Sequence, residues 1–441
     1  MNTTHDAIII GTGQAGPSLA ARLSKAGMKI AVIERKLFGG TCVNTGCTPT
    51  KTLVASAYAI HLARQFCDNL QVDMNKLKAR KDAVVAHAGI EKWMASLPNC
   101  EVIKGHARFA APFTIAVNDR TLISKKIFLN VGGRARIPEI PGLDQVPYLT
   151  NATILDLDFV PKHLIVLGGS AVGLEFAQMF RRFGSEVSII ERAARLLPQE
   201  DEDVSAAVLD ILTKEGIQVA LNVHNVTVSK LDNGIKAHHF TGSHLLIAAG
   251  RVPNTGDLGL DKAGIATDQH GYIRVDEDCE TEARGVWALG DCNGRGGFTH
   301  TSFNDYEIVA GNLLDKASRR LSDRIPAYAV FIDPPLGRAG MTEAEVKQSK
   351  RPALVGRREM TKVSRAVEKG ETLGFMKILV DAETKLILGA NILGTGGDEA
   401  IHCILDTMYA GAPYSVMQRA VHIHPTVSEL IPTMLGELKP L

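Results

Sequence analysis

Ala7-Ile8-Ile9-Ile10-Gly11-Thr12-Gly13-Gln14-Ala15-Gly16 joins an apolar run of strand type to three glycines in Gly-x-Gly-x-x-Gly spacing. A helical stretch follows to near Gly27, and a second apolar run, Lys29 to Ile33, ends on Glu34. Strand, glycine turn, helix, strand and terminal acid form a dinucleotide-binding arrangement. Gly11, Gly13 and Gly16 let backbone N–H groups approach a pyrophosphate at a helix N-terminus, and Glu34 accepts hydrogen bonds from a ribose diol. One such triplet is weak evidence, since glycines also serve as helix-packing turns. The chain repeats it, however: His163 to Leu167 leads into Gly168-Gly169-Ser170-Ala171-Val172-Gly173, a helical stretch stops at Gly184, and Glu186 to Ile190 ends on Glu191. The interval from Gly11 to Gly168 equals that from Glu34 to Glu191, so two nucleotide-binding units are expected. Ser170 replaces the middle glycine of the second unit. It is tolerated with φ negative but narrows the approach for phosphate.

Further runs fit the same plan. Ile127 to Val131 ends at Gly132-Gly133 and Leu245 to Ala249 ends at Gly250, each like a strand leaving a nucleotide-binding unit. Gly285-Val286-Trp287-Ala288-Leu289-Gly290-Asp291 delivers an acid at a strand's carboxyl end, where open α/β sheets bind ligands. From about Ile325 the pattern changes to a hairpin, Phe375 to Val380 and Lys385 to Leu393, followed by a helix with Ile401, Ile404, Leu405 and Met408 on one face. That face is either core or a subunit interface. The 441 residues thus divide into α/β with two Rossmann-like nucleotide-binding domains plus a C-terminal α+β domain. The expected boundaries are 1-150 and 274-325, then 151-273, then 326-441.

Lys and Arg total 49 against 48 for Asp and Glu, a net charge of +1 with no basic block, so neither nucleic acid nor an anionic membrane is an expected partner. No apolar run approaches the roughly 18 residues that cross a bilayer, and no signal peptide opens the chain, so the cytoplasm is the default compartment. In that reducing compartment a close cysteine pair points to redox chemistry or metal binding rather than a structural staple.

That pair lies in Gly39-Gly40-Thr41-Cys42-Val43-Asn44-Thr45-Gly46-Cys47-Thr48-Pro49-Thr50-Lys51, directly after the first ribose-binding acid. Gly46 gives the backbone freedom to bring the two Cα atoms within the roughly 7 Å a disulfide allows. Thr48 reads as a helix cap and Pro49 as the first helical position, which puts Cys47 near a helix N-terminus that favours a thiolate. A zinc site would need about two more ligands. Cys67 and Cys100 form no matching pair, so no metal site is expected; inert or metal-binding cysteines are the alternatives to a redox pair. In His424-Pro425-Thr426-Val427-Ser428-Glu429 the proline suggests a helix start, and the carboxylate five positions on can orient the imidazole. A metal pair of His422 with His424 is the weaker reading.

The Gly-Gly-Thr-Cys-x4-Cys segment with its following Pro49 and Lys51, set between the two glycine loops, closely resembles the flavin-dependent pyridine nucleotide-disulfide oxidoreductases (class I), the group of glutathione reductase, dihydrolipoamide dehydrogenase and mercuric reductase. The resemblance spans essentially the whole chain. It implies FAD on the first nucleotide fold, NADH or NADPH on the second, and a C-terminal interface domain that makes a homodimer. It implies that Gly11, Gly13, Gly16, Glu34, Gly40, Thr41, Ala107, Gly132 and Asp291 bind FAD, Asp291 at the ribityl chain. Gly168, Ser170, Gly173, Glu191 and Gly250 would bind the nicotinamide cofactor. Lys51 would sit near flavin N5, paired with Glu175. Cys47 would face the flavin and Cys42 would exchange with substrate, while His424, oriented by Glu429, would serve as acid and base to the other subunit's cysteines.

The implied activity is transfer of electrons from NAD(P)H through FAD and the Cys42–Cys47 disulfide to an external disulfide or soft metal ion. Mercuric-reductase-like or copper reduction, dihydrolipoamide oxidation and, outside catalysis, redox sensing are the alternatives. Mercuric reductases typically carry a C-terminal cysteine pair and a tyrosine in place of His424. Here the last cysteine is Cys403. Similarity extends to the reactive-chlorine-resistance flavoproteins, through Thr50-Lys51-Thr52-Leu53-Val54 and Pro334-Pro335-Leu336. Glu191 would repel a 2'-phosphate and favours NADH, although Arg192 and Arg195 beside it could accommodate NADPH.

Overall fold

A run of apolar residues that is covered on both faces becomes a parallel strand flanked by helices, and Ala7–Ile10 and Ile30–Glu34 are buried along their whole length. The computed structural model, which describes residues 2–441, places them in a five-stranded parallel sheet. Its order is Val286–Ala288, Ile127–Leu129, Ala7–Ile10, Ile30–Glu34, Cys100–Lys104. Alternate side chains divide between two cores: Ile8, Ile10, Ala31 and Ile33 on one face, Ala7, Ile9, Ile30 and Val32 on the other. The repeat builds a second parallel sheet, Gln218–Ala220, Glu186–Ile190, His163–Leu167, His244–Ile247. It splits in the same way, with Leu164 and Val166 opposite Ile165 and Leu167.

The duplication reaches down to single contacts. Gly11 has φ +97° and Gly168 φ +118°, and a Cβ on either would lie 2.3 Å from a carbonyl oxygen, that of Asn130 or of Ala248. Only glycine permits that approach. The helices Ala15–Lys25 and Ala171–Phe183 then start at equivalent places. The antiparallel strands Arg251–Pro253 and Gly133–Ala135 link the two units.

The C-terminal part is a six-stranded antiparallel sheet, in the order Ala327–Val330, Leu336–Gly340, Ile387–Leu393, Phe375–Asp381, Ala353–Glu359, Lys439–Pro440. Helix Gly397–Tyr409 packs against it through Ile401 and Ile404, so this apolar face is core.

Another row of that sheet is charged. Arg338, Asn391, Lys377 and Arg357 stand opposite one another across four strands. Three of them meet acids at the start of helix Glu202–Lys214 in the second nucleotide unit: Arg338 binds Glu200 and Asp201, Lys377 binds Asp201 and Asp203, and Arg357 binds Asp203. Arg338 and Glu200 are almost wholly buried. Removing one member strands a buried charge, so Arg338→Met is expected to cost about 3–5 kcal/mol. Thermal and denaturant unfolding of the purified variant measure this, and a loss below about 1 kcal/mol would place the pair in the class of exposed ion pairs.

Candidate active site

Gly39 and Gly40, at φ +94° and +62°, turn the chain back under the first glycine loop. A Cβ on Gly40 would lie 2.9 Å from Gly13 Cα, so the redox segment and the phosphate loop touch backbone to backbone. Cys42 lies in the short helix Gly40–Thr45, Gly46 breaks it, and helix Cys47–Ala63 starts at the second cysteine. The expected start at Thr48 and Pro49 is therefore corrected. Gly46 reverses the chain two residues earlier, and Pro49 falls inside the first turn, where no N–H is needed. Cys47 gains by this, since its sulfur stands in the first turn of a 17-residue helix.

The two thiols are unbridged. Thr299, which opens helix Thr299–Ala310, places Oγ1 3.1 Å from Cys42 Sγ and 3.3 Å from Cys47 Sγ. The pair splits the two ionisations. A hydrogen bond from the Cys42 thiol, aided by Thr299 and the Lys51 charge and opposed by burial, pulls Cys47 down to about 5. The same bond, with burial, pushes Cys42 up. Ionisation is thus favoured on Cys47 over Cys42.

Lys51 Nζ is 2.7 Å from Glu175 Oε2, so these residues meet although 124 positions apart. Glu175 is buried; its Oε1 accepts the Phe331 N–H at 2.9 Å, and the Lys51 ammonium lies 4.7 Å from the Phe331 ring centre. The ammonium is thereby fixed beside the thiolate.

The acids that end the second strand of each unit, Glu34 and Glu191, are built alike. Glu34 accepts the Thr12 N–H at 2.9 Å and hydroxyl at 2.7 Å through one oxygen, and the Lys36 N–H at 2.8 Å through the other. Glu191 accepts the Gly169 N–H at 2.5 Å and the Ala193 N–H at 2.7 Å. A carboxylate has about four lone-pair sites, so each acid is held in place and still has capacity for a ribose hydroxyl. This capacity, with the backbone approach of Gly40 to Gly13, fits FAD on the first unit and a nicotinamide dinucleotide on the second. Ser170 has φ −90° and is accommodated without strain. Gly132 and Gly250 turn with positive φ at their strand ends, and Ala107 is buried in the first unit's core.

Several neighbours of these residues carried no sequence signal. Asn130 Oδ1 accepts the Gly16 N–H at 3.1 Å and its Nδ2 donates to Leu289 O at 2.9 Å, fixing the phosphate loop; only its place at a strand end beside Gly132 hinted at this. Arg251 is 3.2 Å from Asp291 and donates to Gly133 O at 2.7 Å. Thr299 and Phe331 lie far from any motif.

Among the described residues His424 shares no hydrogen bond with Cys42 or Cys47. Its Nδ1 lies 3.1 and 3.0 Å from the two Glu429 oxygens, and the imidazole is 72% exposed among the exposed apolar side chains Val421 and Ile423. No helix begins at Pro425, which corrects the expected start. Instead Thr426 and Glu429 exchange bonds as a capping box, Thr426 N–H to Glu429 Oε1 at 3.4 Å and Glu429 N–H to Thr426 Oγ1 at 3.3 Å, and helical turns follow from Ser428.

Among the described residues no group of three or more His, Cys, Asp or Glu side chains is placed to hold a metal ion. Among the described residues no helix is long and apolar enough to cross a membrane.

Comparison with known proteins agrees with this geometry. Residues 5–305 match the family model of pyridine nucleotide-disulphide oxidoreductases, and residues 326–435 match that family's dimerisation domain. The probable pyridine nucleotide-disulfide oxidoreductase RclA of Escherichia coli is 37% identical over 99% of both chains. The mercuric reductase of Lysinibacillus sphaericus is 31% identical over 90% of this chain and 76% of its own length. A solved structure described as the Cu(II) complex of the HOCl-induced flavoprotein disulfide reductase RclA superposes with a TM-score of 0.93 at 36% identity, covering 99% of this chain and 100% of that one. The glycine loops, the cysteine pair and these likenesses agree: the chain belongs to the pyridine nucleotide-disulfide oxidoreductases, and it is an oxidoreductase that uses FAD and NAD(P)H to act on a sulfur group or metal ion.

Proposed function

We propose that the electrons leave through Cys42 and Cys47 to an external disulfide or soft metal ion, with NADH as the preferred donor. The observation that supports it is the meeting of the two cysteines at one hydroxyl, Thr299 Oγ1 lying 3.1 Å from Cys42 Sγ and 3.3 Å from Cys47 Sγ, with Cys47 the sulfur whose ionisation is favoured. FAD, when bound, takes a hydride equivalent from the nicotinamide and hands an electron pair to the sulfurs. His424 of a second copy of the chain takes the Cys42 proton, and the Cys42 sulfur attacks one sulfur of the substrate disulfide and forms a mixed disulfide. The departing thiolate takes a proton from His424 of a second copy of the chain. The Cys47 thiolate then attacks Cys42 Sγ, expels the second substrate sulfur as a thiolate that takes a proton from solvent, and closes the Cys42–Cys47 bridge. Each passage consumes one disulfide, two electrons and two protons and yields two thiols. Exposed Val421 and Ile423 around His424 fit coverage by that second copy, which the dimerisation domain provides.

Reduction of a soft metal ion is the second reading, favoured by the Cu(II) complex described for the RclA structure. Two sulfurs within reach of one hydroxyl suit such an ion as substrate. Arg195 supports the NADH preference, since it donates to Pro198 O at 3.2 Å and so is engaged within its own loop, leaving Glu191 to face the ribose. The test is a screen of the purified yellow protein with NADH and NADPH against lipoamide, glutathione disulfide, Hg(II), Cu(II) and quinones. The expected result is repeated turnover of a disulfide or a soft ion, faster with NADH and lost in Cys42→Ser. Reduction of quinones alone, unchanged in that variant, would overturn the proposal.

A further inference from the structure

Thr299 stands at the first position of a helix, yet what fixes it comes from the C-terminal sheet. The residue before it, Phe298, stacks on Tyr328 with ring centres 5.4 Å apart and planes 5° from parallel. The residue after it, His300, lies 2.8 Å through Nε2 from Ala327 O, and its ring stacks with Phe298 at 5.3 Å. Strand Ala327–Val330 thus grips the chain on both sides of Thr299. The strand is itself tied down, because the Tyr328 hydroxyl donates to Glu200 in the second nucleotide unit, and Glu200 is locked by buried Arg338. A continuous set of contacts therefore runs from the acidic segment beside the nicotinamide-binding unit, through Tyr328 and Phe298, to the hydroxyl between the two sulfurs.

We propose that Tyr328 and Phe298 are positioning residues that hold the Thr299 hydroxyl on the sulfur pair, so that the reactivity of Cys47 depends on the anchorage of Tyr328 to Glu200. The proposal rests on the assignment of Cys47 as the flavin-facing sulfur. A hydroxyl reaches an anion usefully only over a few tenths of an ångström, and a stacked ring beside the helix start restricts that movement. The groups that face Cys47 are Cys42, Thr299, Lys51, Glu175 and His300; those that face Tyr328 are Glu200, Arg338 and Gln199. Of these Cys47 neighbours His300 alone is bound to the strand that carries Tyr328, and the Thr299→Val background separates a shift that comes through Thr299 from one that comes through His300.

The experiment uses the FAD-loaded Cys42→Ser protein, in which the flavin stays oxidised and the long-wavelength thiolate-to-flavin band titrates Cys47 alone. Tyr328→Leu and Phe298→Leu are expected to raise the midpoint of that titration by about one pH unit, the worth of a hydrogen bond to a charged group, with Tyr328→Phe producing a smaller rise. Thr299→Val should raise it as much, Thr299→Ser should restore it, and Tyr328→Leu should add nothing to Thr299→Val, since coupled residues are not additive. A midpoint within about 0.2 units of the parent in both Tyr328 variants, or a shift that adds in full to that of Thr299→Val, overturns the proposal. Absence of the band in the Cys42→Ser parent overturns the assignment of Cys47 instead. Tyr328→Phe keeps the ring and its packing, so the test survives if Tyr328→Leu fails to fold.

Discussion

Cys47→Ser is expected to stop disulfide reduction, a loss of at least about 10⁴-fold as for other essential nucleophiles, while NAD(P)H still bleaches the flavin. Charge is the cause. In the wild-type protein Cys47 carries the anion, because the Cys42 thiol, Thr299 and Lys51 together outweigh burial and bring its ionisation to about 5. The sign follows directly. Above about pH 5 the thiolate is present and the reduced enzyme shows a long-wavelength thiolate-to-flavin band; below it the sulfur is protonated and the band fades. Serine has no ionisation in that range, so the band is absent at every pH, whereas Cys42→Ser retains it. Stopped-flow spectra of the three proteins with NADH decide the matter. A band that persists in Cys47→Ser would assign the flavin-facing anion elsewhere.

His424→Ala is expected to cut disulfide turnover by about 10²–10⁴-fold, the usual worth of general acid–base catalysis, with the rate of flavin reduction unchanged. Glu429 engages Nδ1, which leaves Nε2 as the atom that can give and take a proton. The imidazole opens to solvent beside exposed Val421 and Ile423, and the proposed route has it act on the cysteines of a second copy. Mixing His424→Ala with Cys42→Ser subunits offers a direct check: each homodimer is inactive, and the mixed dimer should regain one working site of two. No recovery in verified mixed dimers, or full activity in His424→Ala, would remove the histidine from the proposed route. Unchanged turnover with a metal ion but not with a disulfide would instead support the metal reading, since an ion has no thiolate leaving group to protonate.

Much of this was legible in the chain. The equal spacing of Gly11 and Gly168, Glu34 and Glu191, called for two copies of one unit, and the copies share even the bonds from the acid to the loop N–H groups. That the two cysteines come together was legible from their spacing and from Gly46. Two helix starts were misread for a common reason. The cues at Thr48-Pro49 and at Pro425 are propensities of single residues, whereas the starts were set by a reversal at Gly46 and by reciprocal bonds between Thr426 and Glu429. The Lys51–Glu175 pair was visible only through resemblance to a family, because nothing local joins residues 124 positions apart.

The sequence by itself determined the strands, the phosphate turns, the cysteine pair and the acid that orients His424. Each of these depends on backbone conformation and apolar period within a few tens of residues, and such constraints are written where they act. Only the tertiary structure decided that Thr299 lies between the sulfurs, that Asn130 braces the Gly16 N–H, and that Arg338, Lys377 and Arg357 meet the acids from Glu200 to Asp203. Those contacts bring together segments from different sheets. Their partners are chosen by the path of the whole chain rather than by any residue's own preference, and a charge or hydroxyl gives no sign of its partner until packing has removed the water between them.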